Sequence, residues 1–121
     1  MHELGITQGI IDRAREAAQR SGAVRVTDLY ISLTAAADFT QESIEMYFEM
    51  LTQDDELFRG AVLHFALQPV DATCLKCGRQ FAALEQHPSC LVCGSFQVRF
   101  DPRAPMLQLT DIGVDEAGDG E

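Results

Sequence analysis

Two copies of the pattern Cys-x-x-Cys-Gly restrict the fold of this 121-residue chain more than any other feature of its sequence. One copy occupies residues 74–78 and the other residues 90–94, with twelve residues between the second and third cysteines. A two-residue spacer lets both sulfurs of a turn point at one ion, and two such turns complete a tetrahedral shell of four thiolates. The glycine can adopt positive φ, which brings backbone N–H groups toward the thiolates. The pattern predicts a structural zinc site formed by Cys74, Cys77, Cys90 and Cys93.

Other uses of four cysteines fit the pattern less well. Disulfides need an oxidising compartment, but residues 1–18 lack the apolar run of a signal peptide, and no stretch is long enough to cross a membrane. We therefore expect a cytoplasmic protein. A thioredoxin-like site would need only one cysteine pair. Rubredoxin-type iron uses the same shell of four sulfurs, so the spacing leaves iron open.

The charge distribution argues against nucleic acid as a partner. The chain has a net charge of −10, and residues 68–105 hold only four basic side chains against three acidic ones. Phosphate binding favours a dense basic patch, and single-strand binding favours stacking aromatics, which we do not expect near the cysteines. A zinc-ribbon adaptor in transcription or RNA processing is therefore the alternative rather than the favoured function.

Catalysis is also not expected. With four thiols committed to zinc, the remaining candidate general bases are His64, predicted within a strand, and His87, between the cysteine pairs. The acidic side chains at 42, 45 and 49 share one face of a predicted helix, which is either solvated surface or a docking face for a basic partner.

Periodicity predicts two helices and several strands. Apolar residues recur at helical spacing in two segments and alternate in four others. The predicted helices are Leu4–Arg20 and Thr40–Leu51, and the predicted strands are Val24–Thr34, Ala61–Leu67, Phe96–Phe100 and Met106–Ile112. This order predicts an α+β fold, with two helices on a three-stranded sheet and an inserted zinc-ribbon-like module.

The predicted domains follow from the same order. Residues 1–68 form an α/β domain that a returning strand at 106–114 completes, and residues 69–105 form the zinc-binding domain. The zinc-binding segment is too short to bury a core, so it should need its metal to fold. Residues 115–121 are acidic and are predicted to be a disordered tail.

The N-terminus offers a second kind of metal site. The amine of Met1, the deprotonated amide nitrogen of His2 and the His2 imidazole can close fused chelate rings around one ion, and the Glu3 amide can supply a fourth nitrogen. Square-planar nitrogen donation suits Ni(II) or Cu(II). The residues alone leave a simpler alternative, in which His2 is solvated and Glu3 favours a helix N-terminus.

A family resemblance favours the nickel interpretation. The opening Met-His-Glu-Leu, the amphipathic first helix, the strand near Val26–Leu33, the helix at 42–49 and the late cysteine pairs together resemble the HypA/HybF family of hydrogenase nickel-incorporation proteins. The resemblance extends from Met1 to about Asp115.

The resemblance implies a nickel metallochaperone. In that role His2 binds Ni(II) together with the N-terminal amine and the neighbouring backbone amides, and Glu3 assists. The four cysteines hold structural zinc. The implied partners are a GTPase accessory protein and the large subunit of [NiFe]-hydrogenase, with urease as another recipient in some relatives. Neither a membrane nor nucleic acid is implied, and a homodimer is one option for assembly.

Overall fold

The structure, a computed structural model, describes the backbone of residues 2–116 and the side chains of residues 3–116. Met1, the His2 side chain and residues 117–121 of the predicted tail lie outside the described residues. The elements, in chain order, are α1 (His2–Ser21), β1 (Ala23–Thr34), α2 (Gln41–Thr52), a short 3-10 helix (Glu56–Phe58), β2 (Val62–Gln68), β3 (Val70–Cys74), β4 (Gln80–Ala83), β5 (Val98–Phe100) and β6 (Leu107–Glu116).

The chain divides into two compact units. The first comprises residues 1–32, 39–66 and 108–121, and the second comprises residues 33–38 and 67–107. The first unit contains both α-helices and the sheet with strand order β2-β1-β6, and the second contains the sheet with strand order β4-β3-β5. The fold is α+β with a zinc-ribbon-like module inserted before the last strand, as the sequence predicted.

Local sequence signals explain where the two helices of the first unit begin and end. Helix α1 ends before Gly22, whose φ of 72° suits a helix terminus because glycine lacks a Cβ. Helix α2 begins after Thr40, whose side chain accepts a hydrogen bond from the backbone N–H of Ser43 at 3.2 Å.

The core of the first unit combines both helices with β1. Its buried side chains recur at helical spacing in α1 and α2, whereas β1 buries single residues before Tyr30 and every residue from Ile31 to Thr34. They are Ile10, Ile11, Ala14, Ala18, Val26, Leu29, Ile31, Ile44 and Phe48.

Strand β6 completes the sheet of the first unit. The Thr110 hydroxyl donates to the Tyr30 carbonyl at 3.0 Å, and the Arg25 guanidinium lies 3.3 Å from the Asp115 carboxylate. Because residue numbers rise along one strand as they fall along the other, β6 runs antiparallel to β1. The strand extends to Glu116, so it includes Asp115 and Glu116, which the sequence assigned to the tail.

The second unit is a small antiparallel sheet. Strand β3 pairs with β4, where Val70 lies opposite Ala83, and with β5, where Ala72 lies opposite Phe100. The sequence predicted only β5 of these strands, because β3 and β4 are too short to display a clear alternation. Strand β3 ends at Cys74, so the sheet leads directly into the first cysteine turn.

Candidate metal centre

The four cysteines converge at the end of the second unit's sheet. Their sulfur atoms all lie within 4.8 Å of one another, and Cys74–Cys93 and Cys77–Cys90 are each separated by 3.6 Å between sulfurs. A tetrahedral site with Zn–S bonds near 2.3 Å requires sulfur–sulfur distances of about 3.8 Å. Cys74 and Cys90 are buried, whereas Cys77 and Cys93 are exposed. The arrangement fits one four-coordinate metal ion.

Both cysteine turns have the same hydrogen-bond pattern. In each turn the first cysteine donates its N–H to the carbonyl five residues on, and the glycine donates its N–H back to the first cysteine's carbonyl, at 2.8–2.9 Å. These bonds join Cys74 with Arg79 and Gly78, and Cys90 with Ser95 and Gly94. The glycines have φ values of 82° and 76°, which confirms the positive φ predicted from the sequence.

Backbone N–H groups also point at two of the sulfurs. The N–H of Cys77 donates to the sulfur of Cys74, and the N–H of Val92 donates to the sulfur of Cys90, both at 3.4 Å. Such donors stabilise a thiolate, whether protons or a cation balance its charge. The turns therefore supply the electrostatic support that a metal thiolate needs.

The thiol pKa values reflect this support and the crowding of four sulfurs. The Cys77 N–H holds the pKa of Cys74 below its ordinary value, and the Cys93 N–H contributes most to lowering the pKa of Cys90 to about 6. The Arg79 N–H lowers the pKa of Cys77, but the adjacent Cys90 sulfur opposes it, and the net pKa rises to about 11. The sulfurs thus compete for negative charge, and a divalent cation would relieve that competition because a coordinating thiol is deprotonated.

The N-terminal residues begin helix α1. The His2 backbone is its first residue, and Glu3 lies in the first turn, where its carbonyl accepts a hydrogen bond from the Thr7 hydroxyl at 2.6 Å. Met1 and the His2 imidazole, two of the groups predicted to bind nickel with the amides of residues 2 and 3, lie outside the described residues. The backbone of His2 and Glu3 therefore lies at a helix N-terminus.

The other two histidines lie elsewhere. His64 is on β2, its Nε2 lies 2.8 Å from an Asp28 carboxylate oxygen, and its ring stacks on Tyr30 with centroids 4.7 Å apart. His87 is exposed in the loop between the cysteine turns. Among the described residues, the four cysteines are the only group of three or more potential ligands close enough to share a metal.

The cysteine turns carry exposed apolar side chains, which the sequence analysis did not anticipate. Phe96 is 76% exposed and Leu91 is 80% exposed. The expectation of no aromatic side chain available for stacking near the cysteines was therefore wrong. Phe96 alternates with Val98 and Phe100, so the sequence pattern placed it within β5, but that strand begins at Val98 and leaves Phe96 in the preceding loop.

The comparison with known families decides the identity of the chain. Residues 1–111 match the family described as "Hydrogenase/urease nickel incorporation, metallochaperone, hypA". The chain belongs to the HypA family. This match begins at the N-terminus and includes all four cysteines, so both predicted metal sites lie inside the HypA region.

Individual HypA relatives match over most of their length. The chain is 30% identical to the hydrogenase maturation factor HypA of Caldanaerobacter subterraneus subsp. tengcongensis over 95% of this chain and 100% of that protein. It is 30% identical to HypA of Aeromonas hydrophila subsp. hydrophila over 94% of this chain and 99% of that protein. It is also 31% identical to the hydrogenase maturation factor HybF of Klebsiella pneumoniae, over 82% of this chain and 87% of that protein.

A solved structure shares the fold. The solution structure of the Ni metallochaperone HypA from Helicobacter pylori matches with a TM-score of 0.65 over 96% of this chain and 99% of that chain, at 17% identity. A second solution structure of a HypA protein matches with a TM-score of 0.62 over 94% of this chain and 96% of that chain, also at 17% identity. At this identity the likeness establishes the HypA fold. Within the described part of the chain, no helix has the length and apolar character required to span a bilayer.

Proposed function

We propose that this chain is a nickel metallochaperone that binds Ni(II) at its N-terminus and delivers it for the maturation of [NiFe]-hydrogenase or urease. The observation that carries the proposal is that Met1-His2-Glu3 and a four-cysteine metal site occur together in a chain that matches the nickel-incorporation family over residues 1–111.

The four cysteines are proposed to hold a resident structural zinc. When bound, zinc crosslinks the two cysteine turns of a unit whose own apolar core is small. The spacing of the four sulfurs supports this structural role, because four thiolate ligands leave no open coordination position for a substrate. Burial of Cys74 and Cys90 also supports it. The N–H donors of Cys77 and Val92 then hold the thiolates in place.

Nickel is the cargo, and its proposed ligands are the Met1 amine, the amide nitrogens at residues 2 and 3, and the His2 imidazole, with Glu3 assisting. Helix α1 supports this assignment because a helix makes no i−4 hydrogen bonds to the N–H groups of its first turn. Deprotonating an amide there therefore breaks no bond of the helical ladder. Square-planar nitrogen ligands favour Ni(II) over Zn(II), which separates cargo from resident metal.

We also propose which domain binds each metal and which proteins the chain binds. Residues 1–68 and 106–114 form the nickel-binding domain, residues 69–105 form the zinc domain, and the chain transfers metal without catalysing a reaction. The proposed partners are the GTPase accessory protein of hydrogenase maturation and the hydrogenase large subunit, in the cytoplasm, with neither nucleic acid nor membrane. Homodimer formation is a further option, which sedimentation of the zinc-loaded protein would test.

The decisive experiment measures Ni(II) binding by calorimetry to protein with a native N-terminus and full zinc content. We expect about one Ni(II) per chain, and a loss of affinity as pH falls through roughly 6.5, because the imidazole and amine must lose protons to coordinate. The substitution His2→Ala should abolish nickel binding and leave zinc content intact. One residue added before Met1 should do the same, because it converts the chelating amine into an amide.

The matched controls are His64→Ala and His87→Ala, which should bind nickel as the unaltered protein does. Undiminished nickel binding by the N-terminally extended protein would mean that side chains alone form the site. In that event His64 and His87 would be the next ligands to test, in combination with His2.

A further inference from the structure

An open groove runs along helix α2 in the first unit. It has a volume of about 990 Å³ and lies between α2 and the segment that leads through the 3-10 helix into β2. Its lining extends from Glu45 to Leu63 and includes no cysteine and no residue of the N-terminal nickel site. The groove therefore needs an explanation other than metal binding.

The floor of the groove is formed by two packed aromatic rings. Phe48 and Phe58 are buried there and meet edge to face, with ring centroids 5.7 Å apart and an interplanar angle of 88°. The Arg15 guanidinium lies 5.5 Å from the centre of the Phe58 ring and bonds to the Asp55 carboxylate at 2.7 Å. These contacts fix the 3-10 helix against α1, so the groove exists before any partner binds.

Apolar side chains stand exposed along the groove. Met46 is 57% exposed, Met50 is 52% exposed and Val62 is 51% exposed. The two methionines are four residues apart and form one ridge on α2. Methionine is flexible and polarizable, and exposed methionines are frequent on surfaces that bind helices.

The rim of the groove is acidic. Glu45 and Glu49 lie on the same helix as the methionines, and among the described residues neither forms an ion pair. The other charges at the rim are paired, because Asp55 bonds to Arg15 and Arg59 lies 3.2 Å from Glu56. The uncompensated charge beside the methionine ridge is therefore negative.

We propose that this groove docks a basic amphipathic helix of a partner protein. A helix suits the surface because the ridge formed by Met46 and Met50 packs into the grooves between side-chain rows of a second helix. Basic residues flanking the apolar stripe of that helix would face Glu45 and Glu49. A second copy of this chain is disfavoured, since a twofold contact through α2 would bring these glutamates against their own counterparts.

The test uses a defined probe, an acetylated and amidated 14-residue peptide of leucine and lysine with the leucines on one helical face. We expect this peptide to bind the zinc-loaded full chain. Its affinity should fall as the salt concentration rises from 50 to 500 mM, because screening reduces the electrostatic attraction. Two peptides serve as controls. One has the same composition without an apolar stripe, and the other carries glutamate in place of lysine; neither should bind.

Substitutions locate the site. We expect the pair Met46→Gln and Met50→Gln, and separately the pair Glu45→Gln and Glu49→Gln, to weaken peptide binding by roughly tenfold or more. Amide NMR shifts caused by the peptide should map to α2 and the start of β2. The matched controls are Glu42→Gln, an exposed glutamate of α2 outside the groove, and Val24→Thr, an exposed apolar position on β1; both should bind within about twofold of the unaltered protein.

Three results would overturn the proposal. The first is no binding of the lysine peptide, or equal binding of the control without a stripe. The second is peptide-induced NMR shifts outside the groove. The third is a sedimenting dimer that the methionine substitutions dissolve, which would make a second copy the occupant. Circular dichroism of each variant checks that it remains folded, and all the substituted side chains are at the surface.

Discussion

Asp28, on the sheet of the first unit, accepts two side-chain hydrogen bonds. It accepts hydrogen bonds from His64 Nε2 and from the Thr27 hydroxyl, both at 2.8 Å, while Tyr30 stacks on the His64 ring. The His64 side chain is the main cause that holds the pKa of Asp28 below its usual 3.8, and Thr27 is the next. These side chains form a polar cluster outside both proposed metal sites.

The first prediction concerns the titration of this carboxylate. His64→Ala should raise the pKa of Asp28 toward 3.8, because the largest hydrogen bond to the charged form is lost. Thr27→Val should raise it less. In the unaltered protein the stabilisation from the charged carboxylate is complete above pH 3.8 and is lost as pH falls through the lower folded-state pKa. Carboxyl carbon NMR would measure each pKa, and an unchanged Asp28 titration in His64→Ala would contradict the assignment.

At this scale the sequence predicts the metal ligands better than the polar cluster. Cys74, Cys77, Cys90 and Cys93 are recognisable because the chemistry depends on spacing within short turns. The bond between Asp28 and His64 joins residues 36 positions apart, and it depends on the register between strands. Alternation places Tyr30 and His64 on polar strand faces, but it does not specify which residues lie opposite one another.

Among the secondary-structure elements, strand β6 packs closely against β1 at Gly113. A Cβ added to Gly113 would lie 2.9 Å from an Asp28 carboxylate oxygen and 3.1 Å from the Thr27 hydroxyl. A larger residue at this position would therefore require the Asp28 side chain, which is bonded to His64, to shift. The side chains that lie closest to Gly113 thus belong to the polar cluster around Asp28.

The second prediction tests that close approach. Gly113→Ala should lower the free energy of unfolding by about 1–3 kcal/mol, because the new methyl group displaces Asp28 or separates the strands. The loss should be smaller when Asp28→Ala is also present, since the nearest atom is then removed. Urea unfolding measures both. Gly9→Ala is the matched control, because nothing lies within 4 Å of its added Cβ and alanine favours the helix by about 1 kcal/mol. Equal stability of Gly113→Ala and the unaltered protein would refute the clash.

Long elements are the ones that periodicity identifies. Helix α1 spans 20 residues and β1 spans 12, so each repeats its apolar pattern several times. Strands β3 and β4 have five and four residues, and their pairing depends on turns that the cysteine motif creates. The 3-10 helix was also missed, because its three residues are too few to display a periodic pattern, although Asp55 caps it by accepting the Leu57 N–H at 3.1 Å.

On the scale of the whole molecule, the two units differ in the apolar side chains that they bury. The first has a continuous apolar core formed by α1, β1 and α2. Apart from Leu33, the side chains that the second unit buries are small or short, among them Val70, Ala72, Ala83 and two of its four cysteines. Because apolar burial is limited there, most of its stability should come from the proposed zinc.

The third prediction is that zinc removal unfolds one unit before the other. After treatment with a chelator, backbone amides of residues 67–107 should exchange hydrogen rapidly, whereas those of α1, β1 and α2 should stay protected. Added zinc should restore protection, which serves as the control for irreversible damage. Cys74→Ala should reproduce the chelator's effect without chelator. Simultaneous loss of protection in both units would mean that they fold as one.

The place of β6 at the end of the described chain also affects the order of folding. The bond between Thr110 and Tyr30 spans 80 positions, so the pairing of β1 with β6, unlike its pairing with β2, must wait until the cysteine turns have been synthesised. A folded zinc module shortens the effective length of the chain that links the two strands, and so reduces the entropy lost when they meet. We therefore expect zinc availability during synthesis to influence how fast the first unit closes its sheet, even though the proposed zinc site lies in the second unit.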